Sequence, residues 1–357
     1  MRLRSSTLTA AAIASLAGGL AAHAQIVAPA FAQNYTIVDL GSPAGVLQNY
    51  GGLTLKFDDP TTLLIGGSAN GSAGQIWSIH VTRGAGNHIT GFSGTATVFC
   101  EAAYNDGGVT NGPGHVLFLA RWPVNELGQT KAGSTITDKI INLAPLGIAT
   151  SISSINFVPV GYPGAGRCKI STYSGGEWWD LALTADGTGT YDVSTATQVP
   201  ASQLSGSPEG FTYVPLGSPL FPQPSLIVAE YGQGSVATYE INGTGDPIIA
   251  TRREFISGLA GAEGSFIDPV TGDFLFSTFG GGSHVLVVRG FTPPPPCYAN
   301  CDGTLNPPYL NVNDFGCFLN RYAAGDPWAN CDGSTSEPTL NVNDFQCFLN
   351  KYAAGCF

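Results

Sequence analysis

The C-terminal segment 297–357 carries two near-copies of a stretch rich in oxygen donors. The first copy reads ANCDGTLNPPYLNVNDFGCFLNRYAAGD and the second ANCDGSTSEPTLNVNDFQCFLNKYAAGC. Ca²⁺ prefers oxygen ligands and tolerates variable coordination, so Asn and Asp side chains suit it. The repeats therefore place possible metal-binding oxygen donors at matching positions of two loops. These donors are Asn300, Asp302, Asn311 and Asp314, repeated as Asn330, Asp332, Asn341 and Asp344.

Each oxygen-rich loop leads into a predicted helix. Apolar residues recur with helical spacing, and these are Phe315, Phe318, Leu319 and Tyr322, matched by Phe345, Phe348, Leu349 and Tyr352. Asn313 or Asp314 is a good helix N-cap, and Gly325 or Gly355 a good stop. Each repeat is thus a loop followed by a helix.

The chain has eight cysteines, and six of them lie in this C-terminal segment. Equal separation in the two copies predicts the disulfides Cys301–Cys317 and Cys331–Cys347, which leaves Cys297–Cys356 to join the ends. A zinc site is a poor alternative because the segment has neither a Cys-x-x-Cys pair nor a histidine. In the larger front part we expect Cys100–Cys168, with a free buried pair as the alternative.

The front part offers one further constellation of acidic residues. Aligning its internal repeats on the aromatic residue before the turn places Glu101, Glu209 and Glu263 in one column. If these residues open the innermost strands, three carboxylates converge, and a cation or protonation must relieve their repulsion. We expect either strand-turn caps that accept backbone N–H bonds, or a structural or catalytic cation. Asn105 and Asp106 are further candidate ligands that nothing in the sequence selects.

The residues of this column must be positioned by the secondary structure of the front part. Its sequence consists of short runs of β-branched and aromatic residues that are separated by Gly, Asn, Asp and Pro. They predict strands and turns, and they recur as units starting near residues 51, 100, 153, 207 and 261. Units of three or four strands that repeat at such a regular spacing along the chain indicate an all-β propeller. The last unit lacks one strand, which Tyr35–Leu40 supplies by closing the ring. We predict five blades, with six blades and then a two-sheet sandwich as alternatives.

Composition bounds the function. Residues 1–24 have a basic start, an apolar stretch and a small-x-small cleavage site, which predicts export; a second such site puts the mature start at Gln25 or Gln33. Beyond it we expect a propeller over 33–292, a proline linker over 293–296 and the module over 297–357. The net charge of −11 and the lack of long apolar runs argue against nucleic-acid binding and a membrane span.

The tail resembles dockerins, which are EF-hand-like double repeats, in a cysteine-containing variant. The resemblance rests on Asx-x-Asp-Gly followed by Leu-Asn-x-x-Asp, present twice. It implies a small Ca²⁺-dependent α-helical module that binds a cohesin-type partner, with the eight asparagines and aspartates named above as the Ca²⁺ ligands. About five residues are inserted between Gly303 and Leu310, and the usual register puts Tyr298 and Trp328 at the first ligand position. We therefore expect weaker Ca²⁺ binding, or disulfides in its structural place.

The front part resembles the propellers of exported bacterial proteins related to lactonase and NHL-type propellers. The residues that carry this generic resemblance are 208–210, 225–231 and 236–240, with 262–264, 268–269 and 272–273. Taken together, the sequence predicts a secreted, surface-displayed propeller that binds a glycan or a protein and is anchored through its tail. The alternative is a metal-dependent, lactonase-like hydrolase on the same anchor.

Overall fold

The computed structural model describes residues 25–293, 297–303 and 310–355 of the chain. In these residues five antiparallel sheets form a five-bladed β-propeller, and two helices with two disulfides follow it. The five-blade prediction is confirmed. The expected leader over 1–24 lies outside the described residues.

The first three blades each hold four strands in chain order. Blade one contains β3 Leu53–Lys56, β4 Asp59–Gly67, β5 Gln75–Arg83 and β6 Ile89–Glu101. Blade two contains β7 Asn105–Asn111, β8 Leu117–Arg121, β9 Glu126–Thr130 and β10 Lys139–Asn142. Blade three contains β11 Ile152–Phe157, β12 Cys168–Thr172, β13 Trp178–Ala185 and β14 Tyr191–Gln198.

The N-terminal segment completes the last two blades. Blade four contains β15 Pro208–Tyr213, β16 Ser225–Glu230, β17 Ser235–Glu240 and β18 Arg253–Ser257, with β1 Ile26–Val27 on its outer edge. Blade five contains β19 Ala262–Ile267, β20 Phe274–Thr278 and β21 Val285–Arg289, with β2 Thr36–Asp39 outermost. The predicted closing strand is therefore confirmed. The propeller also begins before residue 33, because β1 belongs to blade four and Phe31 is buried in the core.

The apolar core lies between neighbouring blades. Five clusters of buried side chains each join two adjacent sheets, as expected for blades whose faces pack on one another. Polar pairs add to two of these interfaces. Arg83 of blade one donates to Asp268 of blade five at 2.7 Å, and buried Lys169 of blade three pairs with Asp246 of blade four.

The C-terminal module is built from two equivalent halves. Helices α1 Val312–Ala323 and α2 Val342–Ala354 pack through Phe318 and Phe348, whose rings stack with centroids 4.2 Å apart. Tyr298 and Trp328, also equivalent in the repeats, stack at 4.3 Å. The small core explains why disulfides are needed to hold such a short module. Among the described residues, neither this module nor the propeller contains a helix of the length and apolarity needed to cross a membrane.

Candidate functional site

Three acidic side chains from three different blades meet at the propeller axis. Asp106, Glu209 and Glu263 are each the second residue of an innermost strand: β7, β15 and β19. Each offers one carboxylate oxygen, and these oxygens all lie within 4.8 Å of one another. The exposed fractions of the three residues are 0%, 2% and 1%. We call this group the channel carboxylates.

A glycine follows each of the three acids because the inner strands come very close at the axis. A Cβ at Gly210 would lie 2.5 Å from the backbone N of Ser265, and one at Gly264 would lie 2.6 Å from the Cα of Gly52. Real Cβ contacts are never so short, so any larger residue would push the blades apart. The Glu-Gly and Asp-Gly pairs thus fix the inner-strand packing and hold the acids side by side.

The channel carboxylates lack the partners that buried charges need. Neither carboxylate oxygen of Glu263 accepts from an N–H or O–H donor, nor do Glu209 Oε2 and Asp106 Oδ2; both glutamates instead contact the Asp106 carboxyl group. None of the ion pairs in the described residues includes any of the three. The amide of Asn70, in the orientation that satisfies its contacts, donates to Asp106 Oδ1 at 2.8 Å. An isolated buried carboxylate costs far too much to persist ionised without compensation.

Burial accordingly raises the pKa of all three groups. It raises the pKa of Asp106 from 3.8 to about 7. The pKa of Glu209 lies well above its ordinary value, first through burial and then through the charges of Asp106 and Glu263. Burial and the charge of Asp106 do the same to the pKa of Glu263. The site must therefore hold protons or a cation.

The structure corrects the third member of the predicted column. Glu101 lies at the exposed end of the outer strand β6, paired with Gln75, so it is not part of the channel group. The chain then turns and begins the inner strand β7 at Asn105, which brings Asp106 to the axis instead. The predicted column is therefore five residues out of register in blade two, because the sequence does not mark where β6 ends.

The two remaining blades contribute no acid. Ser153, the equivalent residue in blade three, donates its hydroxyl to the Pro208 carbonyl at 2.6 Å. In blade one, Thr54 is buried with its hydroxyl near its own strand, and Gly52 takes the position facing Gly264. Asn105 is buried, but its amide donates to the Ala102 carbonyl at 2.9 Å. The acids thus come from blades two, four and five.

The tail loops present a second, duplicated arrangement of oxygen donors. Asn311 caps α1 by accepting from the N–H of Asn313 at 2.8 Å, and Asp314 accepts from the N–H groups of Asn311 and Asp302 at 2.9 and 3.2 Å. The second repeat does the same with Asn341, Asp344 and Asp332. These aspartates and asparagines therefore cap the helices and tie the loops to them.

Each tail loop also brings two carboxylates together. Burial raises the pKa of Asp314, and the neighbouring Asp302 carboxylate contributes to this. In the second loop, Asn330 Oδ1 is buried without a hydrogen-bond partner, while its amide donates to the Ser334 carbonyl at 2.7 Å. In the first loop, Asn300 holds the position equivalent to Asn330. Paired carboxylates and amide oxygens are a chemically suitable set for Ca²⁺.

The cysteines confirm two of the predicted disulfides and overturn another. Cys301–Cys317 and Cys331–Cys347 are formed, with Cα atoms 5.8 and 5.7 Å apart. Cys297 is disulfide-bonded, and its predicted partner Cys356 lies outside the described residues. The prediction of Cys100–Cys168 is wrong: both thiols are free and buried. Cys100 packs between blades one and two and Cys168 between blades two and three, so they belong to different clusters.

Comparisons with known proteins return likenesses of fold. No protein-family model and no curated protein matches the chain. Among solved structures, the pyrroloquinoline-quinone domain of a pyranose dehydrogenase from Coprinopsis cinerea is 8% identical, with 75% of this chain and 97% of that one covered and a TM-score of 0.42. A nutrient-binding protein from Bacteroides ovatus is 9% identical, with 72% of this chain and 76% of that one covered and a TM-score of 0.42.

A candidate 6-phosphogluconolactonase from Bacteroides uniformis is 15% identical, covers 66% of each chain and has a TM-score of 0.37. These neighbours include dehydrogenases, a lactonase and a nutrient-binding protein. At this level of similarity they assign neither a family nor an activity to the chain. The five-bladed fold rests on the strand pairing of the molecule itself.

Proposed function

We propose that the propeller binds a divalent cation, Ca²⁺ first of all, between the channel carboxylates. The observation that supports this is the meeting of three buried carboxylates within 4.8 Å, with four unpaired oxygens among them. An all-oxygen donor set favours Ca²⁺, Mg²⁺ or Mn²⁺ over zinc and copper. One Ca²⁺ would reduce the group's charge from −3 to −1 and would let all three acids ionise.

The chain as a whole is then an exported binding protein. In this proposal the propeller, ordered by its ion, binds a glycan or protein ligand, and the tail attaches it at the cell surface. The tail would do so as a dockerin-like module with Ca²⁺ in its loops and a cohesin-type partner. Its duplicated geometry supports this, because both helices present equivalent exposed valines, Val312 and Val342.

Metal uptake by the full-length protein tests the channel site. We would compare wild type, a channel variant with Asp106→Asn, Glu209→Gln and Glu263→Gln, and a tail variant with Asp302→Asn and Asp332→Asn. Calorimetric titration with Ca²⁺ should lose one site in the channel variant and keep it in the tail variant. Identical titrations for wild type and channel variant would refute the proposal.

The attachment needs a separate measurement. Surface plasmon resonance against a panel of purified cohesin-type domains should detect binding that requires Ca²⁺ and falls when Val312→Asp and Val342→Asp are combined. Binding of no cohesin-type domain by the correctly disulfide-bonded protein would refute this part.

The lactonase-like alternative has the channel carboxylates as its sole support. It requires hydrolysis of simple lactones that disappears in the channel variant. The binding function is favoured because the acids are almost fully buried, whereas a hydrolytic centre must admit substrate and water to the ion.

A further inference from the structure

Four aromatic residues stand at equivalent positions around the channel carboxylates. Each is the first residue after the second strand of its blade, and the four are Trp122, Tyr173, Tyr231 and Phe279 in blades two to five. All four are half-buried. Blade one has Ser68 at this position, which leaves a gap. We call these four side chains the aromatic rim.

The same backbone hydrogen bond fixes each member of the rim. The N–H groups of Trp122, Tyr173, Tyr231 and Phe279 donate to the carbonyls of Tyr104, Ser151, Ser207 and Gly261, at distances of 3.0, 3.1, 3.1 and 2.9 Å. In each blade the accepting residue lies two positions before the residue at the axis. Two strand residues span roughly 6–7 Å, so the rim forms a layer next to the channel carboxylates.

The electrostatics of the two tyrosines agree with this placement. Burial raises the pKa of Tyr173, and the charges of Glu209, Glu263 and Asp106 add to the rise. Burial and the same three charges raise the pKa of Tyr231. Both rings therefore lie in the field of the channel carboxylates.

The four rings follow the rotation of the blades around the axis. Neighbouring centroids are 5.7 Å apart for Trp122 and Tyr173, 6.0 Å for Tyr173 and Tyr231, and 6.2 Å for Tyr231 and Phe279. Their interplanar angles of 63°, 68° and 74° are close to the about 72° rotation that relates neighbouring blades of a five-bladed propeller. A pentagon with such sides places each centroid about 5 Å from the axis, within the roughly 6 Å reach of a cation–π contact.

We propose that the aromatic rim binds a small organic cation, with an ammonium or trimethylammonium group on the axis above the channel carboxylates. Several π-faces around one point are the arrangement that recognises quaternary ammonium groups. When a divalent ion occupies the three acids, they keep a net charge of −1, so the floor of the Ca²⁺-loaded site attracts a cation. The inference rests on the proposed ion-binding channel and adds to it a site for a small organic cation.

The matched pair of choline and 3,3-dimethyl-1-butanol tests this directly, because the alcohol has the same shape without the charge. Calorimetric titration of the full-length, Ca²⁺-loaded protein should show choline binding, with the alcohol at least about tenfold weaker. Equal affinity for the two compounds, or binding of glucose without binding of choline, would overturn the inference.

Substitutions in the rim provide the second arm. Tyr231→Leu should weaken choline binding about fivefold, while Tyr231→Phe keeps the π-face and should keep the affinity within about twofold. Tyr173→Leu should repeat the loss if Tyr231→Leu does not fold. Both leucine variants should still take up Ca²⁺, since the channel carboxylates are intact; unchanged choline affinity in both would refute the rim.

The two proposals fail in different ways. Ca²⁺ uptake at the channel without choline binding refutes the organic-cation site alone. Choline binding by a protein whose channel takes up no Ca²⁺ refutes the metal site and retains the aromatic rim as the ligand site.

Discussion

Replacing Asp106 by Asn should stabilise the ion-free protein at alkaline pH, although it alters a fully buried residue. Burial raises the pKa of the Asp106 carboxyl group from 3.8 to about 7. Between these two pH values the folded wild type therefore holds a proton that the unfolded chain releases. The contribution of this proton to the free energy of unfolding is fully present below about pH 4 and is lost as the pH rises to about 7. At 1.36 kcal/mol per pKa unit, the loss is roughly 4 kcal/mol.

Ca²⁺ should offset most of this difference in stability between the wild type and the variant. In excess Ca²⁺ the wild type should recover, because an ion at 100 times its dissociation constant contributes about 2.7 kcal/mol. Asp106→Asn loses a ligand and should respond far less. The assay is urea unfolding followed by tryptophan fluorescence, with disulfides intact, between about pH 4 and pH 8 in chelator and in Ca²⁺.

A buried carboxylate with partners provides the control. Glu230 is fully buried, but it accepts from Tyr239 at 2.7 Å and pairs with Arg252. Glu230→Gln should therefore destabilise the protein at pH 8, opposite in sign to Asp106→Asn. If Asp106→Asn destabilises by the same amount at every pH and Ca²⁺ shifts neither protein, the channel carboxylates act as strand caps and the reasoning is refuted.

Three further predictions concern the propeller as a whole. Lys169→Met should cost about 3–5 kcal/mol in urea unfolding, because it leaves Asp246 buried without its cation; a cost below about 1 kcal/mol would contradict this. Cys100 and Cys168 should resist alkylation until the protein unfolds, because burial raises the pKa of both thiols, that of Cys100 to about 11. Mass spectrometry counts the labelled thiols. Fast labelling of the native protein would contradict their burial. Cleavage of the predicted leader should leave a chain that begins at Gln25, because a start at Gln33 removes core residue Phe31; the intact mass decides between the two, and a mass that corresponds to a start at Gln33 would contradict this.

The repeat made the fold predictable. Each blade has its own run of strand and turn signals, and the missing strand of the last unit had an evident substitute in β2. The two-residue strand β1 could not be predicted, because pairing with β18 rather than any local pattern defines it. The Cys100–Cys168 prediction failed for a related reason: an even cysteine count says nothing about which blades separate two thiols.

The site was half predictable. Glu209 and Glu263 share the Glu-Gly pair, whereas Asp106-Gly107 was hidden by a register error at the end of β6. The aromatic rim has a signal in the sequence, since LARW, ISTY, VAEY and FSTF each place an aromatic residue directly after a buried strand. The three-dimensional convergence of side chains from several blades is what the linear sequence does not display.

A crystal structure of the full-length protein grown with Ca²⁺ tests the central claim most directly. We expect an anomalous peak at the axis, with oxygens of Asp106, Glu209 and Glu263 at about 2.3–2.6 Å from the ion. Carboxyl groups hydrogen-bonded to one another at about 2.5–2.7 Å, with no ion between them, would contradict the account.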